Sequence, residues 1–368
     1  MDKIYRTAII GATGRGDYGH HVDGAVATIP NLEIVGVADA DDVGRRQAFE
    51  RLNAPGSWAD YRQMIQATQP DIVVICPRWT DQHHQMLMAA AEAGCHVYME
   101  KPFCRTLKEA DEVVRALEMR HLHLGIAHIT QYSPVLDMVQ SVIQAGEIGE
   151  ILEIRGRGKE DRRGGAEDLW VLGSHVFAMM RTLGGGHPLS CTANVTSGGN
   201  PITQKDVVDG AEGLGLLAGD RLHAQYDFPY NVQGYFASRR HAGGRPSRFG
   251  VQIFGSQGII EMQSGYLQPA WILKDSSWSP GRTGSHWQKI TSAGIDQPEP
   301  RTDGSYDGGH IAAVKDLIES IEQGRATRCS AEDCRGIVEM TAAVFESQRV
   351  GRRVELPLTT RENPLSLL

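Results

Sequence analysis

The first third of the chain alternates short apolar runs with helical segments. "RTAII" leads into a glycine-rich loop, and "EIVGVAD", "DIVVIC" and "HVYMEKP" follow as further apolar runs. Helical stretches lie between them, from Val43 to Leu52 and through "HHQMLMAAAEAG". The runs carry little polar alternation, as strands covered on both faces do. Strand alternating with helix predicts an α/β, Rossmann-type, doubly wound parallel sheet. "HLHLGIA" supplies a closing strand, and a helix from Pro134 to Ala145 ends in the turn "AGEIG". A first domain over residues 1–126 follows.

Beyond it the pattern becomes strand after strand: "GEILEIRGRG", "SCTANVTSG", "DRLHAQYDF", "NVQGYFASRR" and "RFGVQIFGSQGIIEM", with turn signals between. Residues 127–368 therefore read as an α+β domain with a large open, mainly antiparallel sheet, and with helices at 168–184, 307–323 and 331–349 on one face. The stretch 274–305, rich in Ser, Gly, Pro and Trp, reads as a long loop, disordered or a lid. In "LHAQYDF" and "VQGYFAS" both phases of the alternation carry large apolar or aromatic side chains. The open face is accordingly expected to join copies of the chain into a homodimer or homotetramer.

A length of 368 residues suits two domains, and 41% hydrophobic residues is an ordinary globular share. "MDKIYRTAII" has no long apolar stretch with a small-residue cleavage site, and nothing later approaches a membrane span, so a cytoplasmic protein without a membrane partner is expected. Six scattered cysteines suit reduced thiols rather than disulfides. A net charge of -8 with no basic block argues against nucleic acid and leaves small molecules as ligands.

In "TAIIGATGRGDYGHH" a strand runs directly into Gly11, Gly14, Gly16 and Gly19, the setting in which a loop turns backbone N–H groups toward a pyrophosphate. Gly14, Gly16 and Gly19 match G-x-G-x-x-G literally. The turn must begin where the strand ends, which favours Gly11 and Gly16 as outer positions with Thr13 between; Arg15 lies in the same loop. Asp39 ends the second strand 23 residues after Gly16, the spacing of a carboxylate that accepts from ribose hydroxyls. A carboxylate there disfavours a 2'-phosphate, so NAD rather than NADP is expected, with Arg45 the one neighbour that argues the other way.

"DIVVICPRWTDQHHQMLMAAAEAGCHVYMEKP", "AGEIGEILEIRG" and the ending "HIAAVKDLIESIEQGRATRCSAEDCRGIVEMTAAVFESQRVGRRVELPL" resemble the glucose-fructose oxidoreductase / inositol dehydrogenase (Gfo/Idh/MocA) family over essentially the whole chain. The resemblance implies two domains, a nicotinamide dinucleotide on the first, and a sugar, polyol or derivative as substrate. Strands of a doubly wound sheet deliver their C-terminal ends to the ligand crevice, which places Glu100 and Lys101 there. Pro102 keeps Lys101 out of helical backbone angles. The Lys101 ammonium can then support a developing alkoxide while Glu100 orients it. Pro77 starts the loop after "DIVVIC", and His83 lies 11 residues before Gly94, where the family tends to carry a histidine; both are assigned to the cofactor side.

The resembled family carries Asp-x-Gly-x-His on a helix of its second domain, the His exchanging the hydroxyl proton. Gly173 and His175 match, whereas the Asp position is Val171 and a further acidic position is Ala178. In a continuous helix from 168, Asp168, Val171 and His175 would share one face, so Asp168 is taken as the relocated acid. Gln131, Tyr132, Arg163 and His310 are the substrate candidates, with Asp161 and Arg162 beside them. His121 and His123 would share a strand face, but no acidic or Cys set completes a site with them, so no metal is expected. The leading function is an NAD-dependent oxidoreductase on a secondary alcohol. Its rivals are a redox-neutral enzyme that retains and recycles NAD for elimination, glycoside cleavage or epimerisation, and a non-catalytic dinucleotide sensor.

Overall fold

The computed structural model describes residues 3–368. They fall into two compact units. The first runs up to Ile129 and includes Ala211–Gly215 and Ser305–Arg335; the second holds Thr130–Gly210, Leu216–Gly304 and Gly336–Leu368. The chain thus returns twice to the first unit, where the sequence suggested a single cut at 126. Composition does not mark such returns, because a helix packs on either unit with the same amphipathic pattern.

The first unit carries β1 (Tyr5–Ile10), α1 (Val22–Ala27), β2 (Leu32–Ala38), α2 (Asp42–Arg51), β3 (Ser57–Trp58), α3 (Tyr61–Thr68), β4 (Ile72–Ile75), α4 (His83–Glu92), β5 (His96–Met99), α5 (Leu107–Glu118) and β6 (Leu124–Ile126). The sheet is parallel throughout, in the order β3-β2-β1-β4-β5-β6. All of β4 is buried, as are most of β1 and β5, which is why these strands read as continuous apolar runs. Strand order reverses between β1 and β4, and the loops leaving β1, β4 and β5 begin at Gly11, Cys76 and Glu100. Ligands of doubly wound sheets bind at such a switch point.

The second unit begins with α6 (Pro134–Gln144), whose cap Ser133 accepts from the Val135 N–H with Pro134 in the first turn. Then come β7 (Ile151–Arg157), α7 (Ala166–Val171), α8 (Gly173–Leu183), β8 (Ser190–Ser197), β9 (Asn200–Pro201), β10 (Val208–Asp209), β11 (Leu216–Leu217), β12 (Arg221–Asp227), β13 (Gln233–Arg239), β14 (Gly250–Gly255), β15 (Gly258–Gln263), β16 (Ala270–Leu273), α9 (Pro280–Thr283), β17 (Gln288–Thr291) and β18 (Gly294–Ile295). The chain closes with α10 (Tyr306–Gln323) in the first unit, α11 (Ala331–Val350), inside which the division falls, and β19 (Val354–Glu355).

The large sheet runs β18-β17-β16-β15-β14-β7-β13-β12-β8-β19, with β9 on β8. It is antiparallel except that β13 and β7 are parallel, so it is mixed. Its buried face meets α8: Phe177 lies 4.9 Å, centroid to centroid, from Phe236 and edge-on to Tyr226, and a Cβ on Gly156 would stand 2.4 Å from Val176. The outward phase of β12 is Arg221, His223 and Gln225, and that of β13 includes Tyr235, so the exposed face is more polar than the sequence suggested.

Two further expectations change. The helix expected over 168–184 is two helices, broken at Leu172 (φ -116°), where Gly173 lets the chain pass under the Phe236 ring. The stretch 274–305 is no bare loop, since it adds β17 and β18 to the sheet edge; strands of four and two residues are too short for an alternation signal. No helix of the described residues is long and apolar enough to cross a membrane.

Candidate active site

β1 ends at Ile10, and Gly11 turns the chain with the Tyr18 ring lying where its Cβ would be, 2.2 Å away. Ala12 and Asp17 then exchange N–H donations at 3.1 and 3.0 Å, closing a tight hairpin. Gly14 and Gly16 have φ of +78° and +92°, and a Cβ on Gly16 would stand 2.5 Å from the Arg78 nitrogen. Both glycine patterns are thus used, one for close approach and the other for backbone angle. α1 starts only at Val22, so all four glycines lie in the loop before it.

A cavity of about 220 Å³ beside this loop is lined by Gly11, Thr13, Arg15, Asp39, Asp41 and Tyr61, among others. Asp39 is buried at its edge and accepts from the Thr13 N–H (3.0 Å), the Thr13 hydroxyl (2.7 Å) and the Asp41 N–H (3.0 Å). Arg45 donates to the Asp39 carbonyl at 2.7 Å and pairs with Asp42, which engages its guanidinium within its own helix. Arg15 pairs with Asp81 and lies 4.7 Å over the Trp79 ring. A glycine cradle, a carboxylate and a cavity of nucleoside size fit the dinucleotide that the sequence called for.

At the end of β5, Glu100 is buried. Its Oε1 accepts from the His20 backbone N–H at 3.1 Å and from His20 Nδ1 at 2.7 Å, and its Oε2 from the Lys101 N–H at 3.1 Å. Burial alone would raise this carboxyl. The His20 hydrogen bond and charge, then the Lys101 charge, outweigh it and hold the group down at about 2. Glu100 is therefore an anion at the base of Lys101, whose side chain is only 4% exposed. His310 is buried beside the same carboxylate with its Nδ1 2.7 Å from the Tyr98 hydroxyl, while its Nε2 has no partner among the described residues. Burial lowers its pKa, which favours the neutral ring.

His83 is wholly buried and spans two loops, with Nε2 2.8 Å from the Pro77 carbonyl and Nδ1 2.7 Å from that of Pro102. It ties the loop after β4 to the one after β5. Pro77 is buried with it.

In the second unit, His175 sits in the first turn of α8 between buried Ser174 and Val176, yet is itself half-buried, with its ring edge-on to Phe249 at 6.1 Å. It is not a sealed core histidine. Val171 and Ala178 are apolar and buried, so neither family acid has a substitute at its own position. Gln131 is buried and its Oε1 accepts from the Thr182 hydroxyl at 2.6 Å, two turns along α8 from His175 and on the same helix face. Its amide nitrogen has no partner among the described residues. Tyr132 is buried next to it. Arg163 is held by Asp161, with the guanidinium 2.7 Å from Oδ2, and that hydrogen bond keeps the Asp161 carboxyl at about 2.

Asp168 has a structural part of its own. It is fully buried and accepts from the Ser238 hydroxyl and from the Lys159 and Glu160 N–H groups, each of the latter at 3.1 Å. Burial raises its pKa against those donors. It fastens the loop after β7 to β13, and the helix that carries it breaks at Leu172 before the one that carries His175. Asp168→Ala is expected to lower unfolding free energy by about 3 kcal/mol, since it strands buried donors. Denaturant unfolding would check this; an unchanged midpoint with a raised KM would restore the catalytic role.

His121 lies in a turn with φ +56°, and His123 precedes β6 and lies beside His96, so the two share no strand face. Burial, then the neighbouring His123, pushes His96 down to about 4. His20 and Tyr98 were not singled out from sequence. The only signal for His20 was the pair "HH" closing the glycine loop, because its partner Glu100 is 80 residues away.

Residues 5–128 match the oxidoreductase family described as an NAD-binding Rossmann fold, and residues 140–356 match the C-terminal alpha/beta domain of the same family. The chain belongs to the Gfo/Idh/MocA family. As a member it is an NAD(P)-dependent oxidoreductase whose dinucleotide domain is the first unit's sheet. D-glucoside 3-dehydrogenase of Escherichia coli (strain K12) is 32% identical, with 95% of this chain and 97% of that protein covered. Levoglucosan dehydrogenase of Pseudarthrobacter phenanthrenivorans is 26% identical over 87% of this chain and 89% of its own. Glycosyl hydrolase family 109 protein 1 of Akkermansia muciniphila is 29% identical over 181 residues, 45% of this chain and only 37% of that protein. A solved levoglucosan dehydrogenase in complex with NADH and levoglucosan has the same fold, with a TM-score of 0.76 at 20% identity, covering 97% of this chain and 100% of that one.

Proposed function

We propose that this Gfo/Idh/MocA member oxidises a secondary alcohol of a sugar, glycoside or polyol, using NAD. The observation that carries the reading is the buried Glu100 anion at the base of Lys101, at the end of the strand that leads into the crevice. NAD, when bound, supplies the hydride acceptor. Gly11, Thr13, Gly14, Arg15, Gly16 and Asp39 hold it, and Asp39 sets the preference against a 2'-phosphate. Lys101 stabilises negative charge on the substrate oxygen, and His175 takes the hydroxyl proton. Gln131, Tyr132 and His310 are the substrate-side groups; Arg163 serves through its pair with Asp161.

The likeness to D-glucoside 3-dehydrogenase over nearly the full length supports a glycoside as substrate class. A redox-neutral variant, in which NAD stays bound through a transient keto sugar, draws support from Val171 and Ala178 and from the partial likeness to a glycosyl hydrolase. We propose also that the chain self-associates through the exposed face of its large sheet. Tyr235, Trp271 and Arg155 lie there, residue types enriched at interfaces, above a groove of about 840 Å³.

The test is NADH formation over a panel of glycosides, anhydrosugars and inositols, with NAD and NADP in parallel, on the wild type and Asp39→Ala. Turnover with NAD is expected, and the variant should lose NAD affinity by about tenfold or more while NADP changes less. Equal loss for both cofactors would remove Asp39 from the ribose site. Release of an aglycone without NADH, by protein whose NAD survives dialysis, would favour the redox-neutral reading.

A further inference from the structure

Three donor side chains that the dehydrogenase chemistry does not use meet inside the first unit. His128 follows β6, Cys329 lies before α11, and Cys334 is in its first turn. All three are buried, and their ligand atoms lie within 4.8 Å of one another. The two sulfurs stand 3.7 Å apart. That is far beyond the roughly 2.05 Å of a disulfide. It is close to the spacing of about 3.8 Å between two thiolates on one tetrahedral ion with bonds of about 2.3 Å.

The backbone that carries the two cysteines is fixed independently of any ion. The Thr327 hydroxyl donates to the Leu124 carbonyl at 2.6 Å, and the Arg328 N–H to Asp316 at 2.8 Å, which holds this segment against β6. Ser330 and Asp333 cap α11 reciprocally: the Ser330 N–H donates to the Asp333 carboxylate at 2.9 Å, and the Asp333 N–H to the Ser330 hydroxyl at 3.2 Å. The cysteines are thereby presented from both sides of the helix start.

We propose that His128, Cys329 and Cys334 bind one thiophilic d¹⁰ ion of the Zn²⁺ class. Two thiols give up their protons to solvent, two metal–sulfur bonds form, the neutral imidazole completes three protein ligands, and no electrons move. Two thiolates and a divalent cation sum to zero charge, which removes the penalty a buried ion would otherwise carry. Soft sulfur with imidazole selects this class over Mg²⁺ or Ca²⁺. The site pins the start of α11 to the end of β6 within the dinucleotide unit.

The experiment is a Co²⁺ titration of the full-length protein, purified reduced and freed of metal. Thiolate-to-cobalt charge-transfer absorption saturating at one ion per chain, and its loss on adding Zn²⁺, is expected. Cys329→Ser and Cys334→Ser should each weaken binding by about 100-fold or more, whereas Cys95→Ser, a buried cysteine elsewhere, should not. Because the wild-type titration needs no variant, a destabilised mutant leaves the test intact. Reduced wild-type protein that gives no charge-transfer band overturns the proposal, as does a band unchanged in Cys329→Ser. So does recovery of a Cys329–Cys334 disulfide from a protein that takes no cobalt when reduced.

Discussion

Replacing Lys101 by methionine is expected to cut turnover by about 1,000-fold while NAD affinity stays within about threefold. The side chain keeps its length and most of its packing and loses only the ammonium. That charge does little for the ground-state alcohol and much for the oxygen as it becomes an alkoxide, so the loss falls on the transition state. It should appear in kcat and kcat/KM alike. The Glu100 carboxylate, an anion whose Oε2 accepts from the Lys101 backbone N–H, is fixed at the base of that side chain. Steady-state kinetics on any substrate from the sugar panel, with NAD binding followed separately by calorimetry, would check both halves. Near-normal turnover would take Lys101 out of the chemistry.

The second large effect is on stability. Glu100→Gln preserves shape but leaves the His20 imidazole and the His20 and Lys101 backbone N–H groups facing a neutral amide in a buried site. Removing one partner of a buried, hydrogen-bonded charge set costs on the order of 3 kcal/mol. The pH dependence has a definite sign. The folded carboxyl sits at about 2, below its ordinary value of 4.5, so its contribution is complete above about 4.5 and fades as pH falls toward 2. Urea unfolding at neutral pH should therefore separate wild type from Glu100→Gln clearly, and the gap should close in acid. A gap that stays constant down to the bottom of that range would mean that the carboxylate's charge is not what stabilises the site.

What could be read in the sequence, and what could not, follows from the range of each interaction. β1, β4 and β5 were visible because strands buried on both faces are continuous apolar runs. The run from Arg248 to Met262 was read as one stretch, whereas it holds the antiparallel pair β14 and β15. β3, β17 and β18 were not visible, because two to four residues carry no period. The parallel pairing of β13 with β7 was hidden, since alternation fixes a strand's faces and not its direction. Gly11, Asp39 and Lys101 were legible because each stands at a strand end, where spacing along the chain decides position. His20 beside Glu100, Tyr98 beside His310, and His128 with the two cysteines were not, being joined only by the fold over 80 to 212 residues. The continuous helix over 168–184 was misread because helical spacing was assumed to continue through Leu172.

In the proposed reaction hydride leaves a substrate carbon for the bound nicotinamide, and the most direct measurement is anaerobic single turnover. The protein with stoichiometric NAD is mixed with a glycoside deuterated at the carbinol carbon, and both NADH absorbance and the deuterium content of the nicotinamide are followed. The account predicts a rise in absorbance slowed by the deuterium, with the label on the reduced cofactor, and no rise in Lys101→Met. Consumption of the glycoside with no reduced cofactor at any time, and no label on it, would contradict the account.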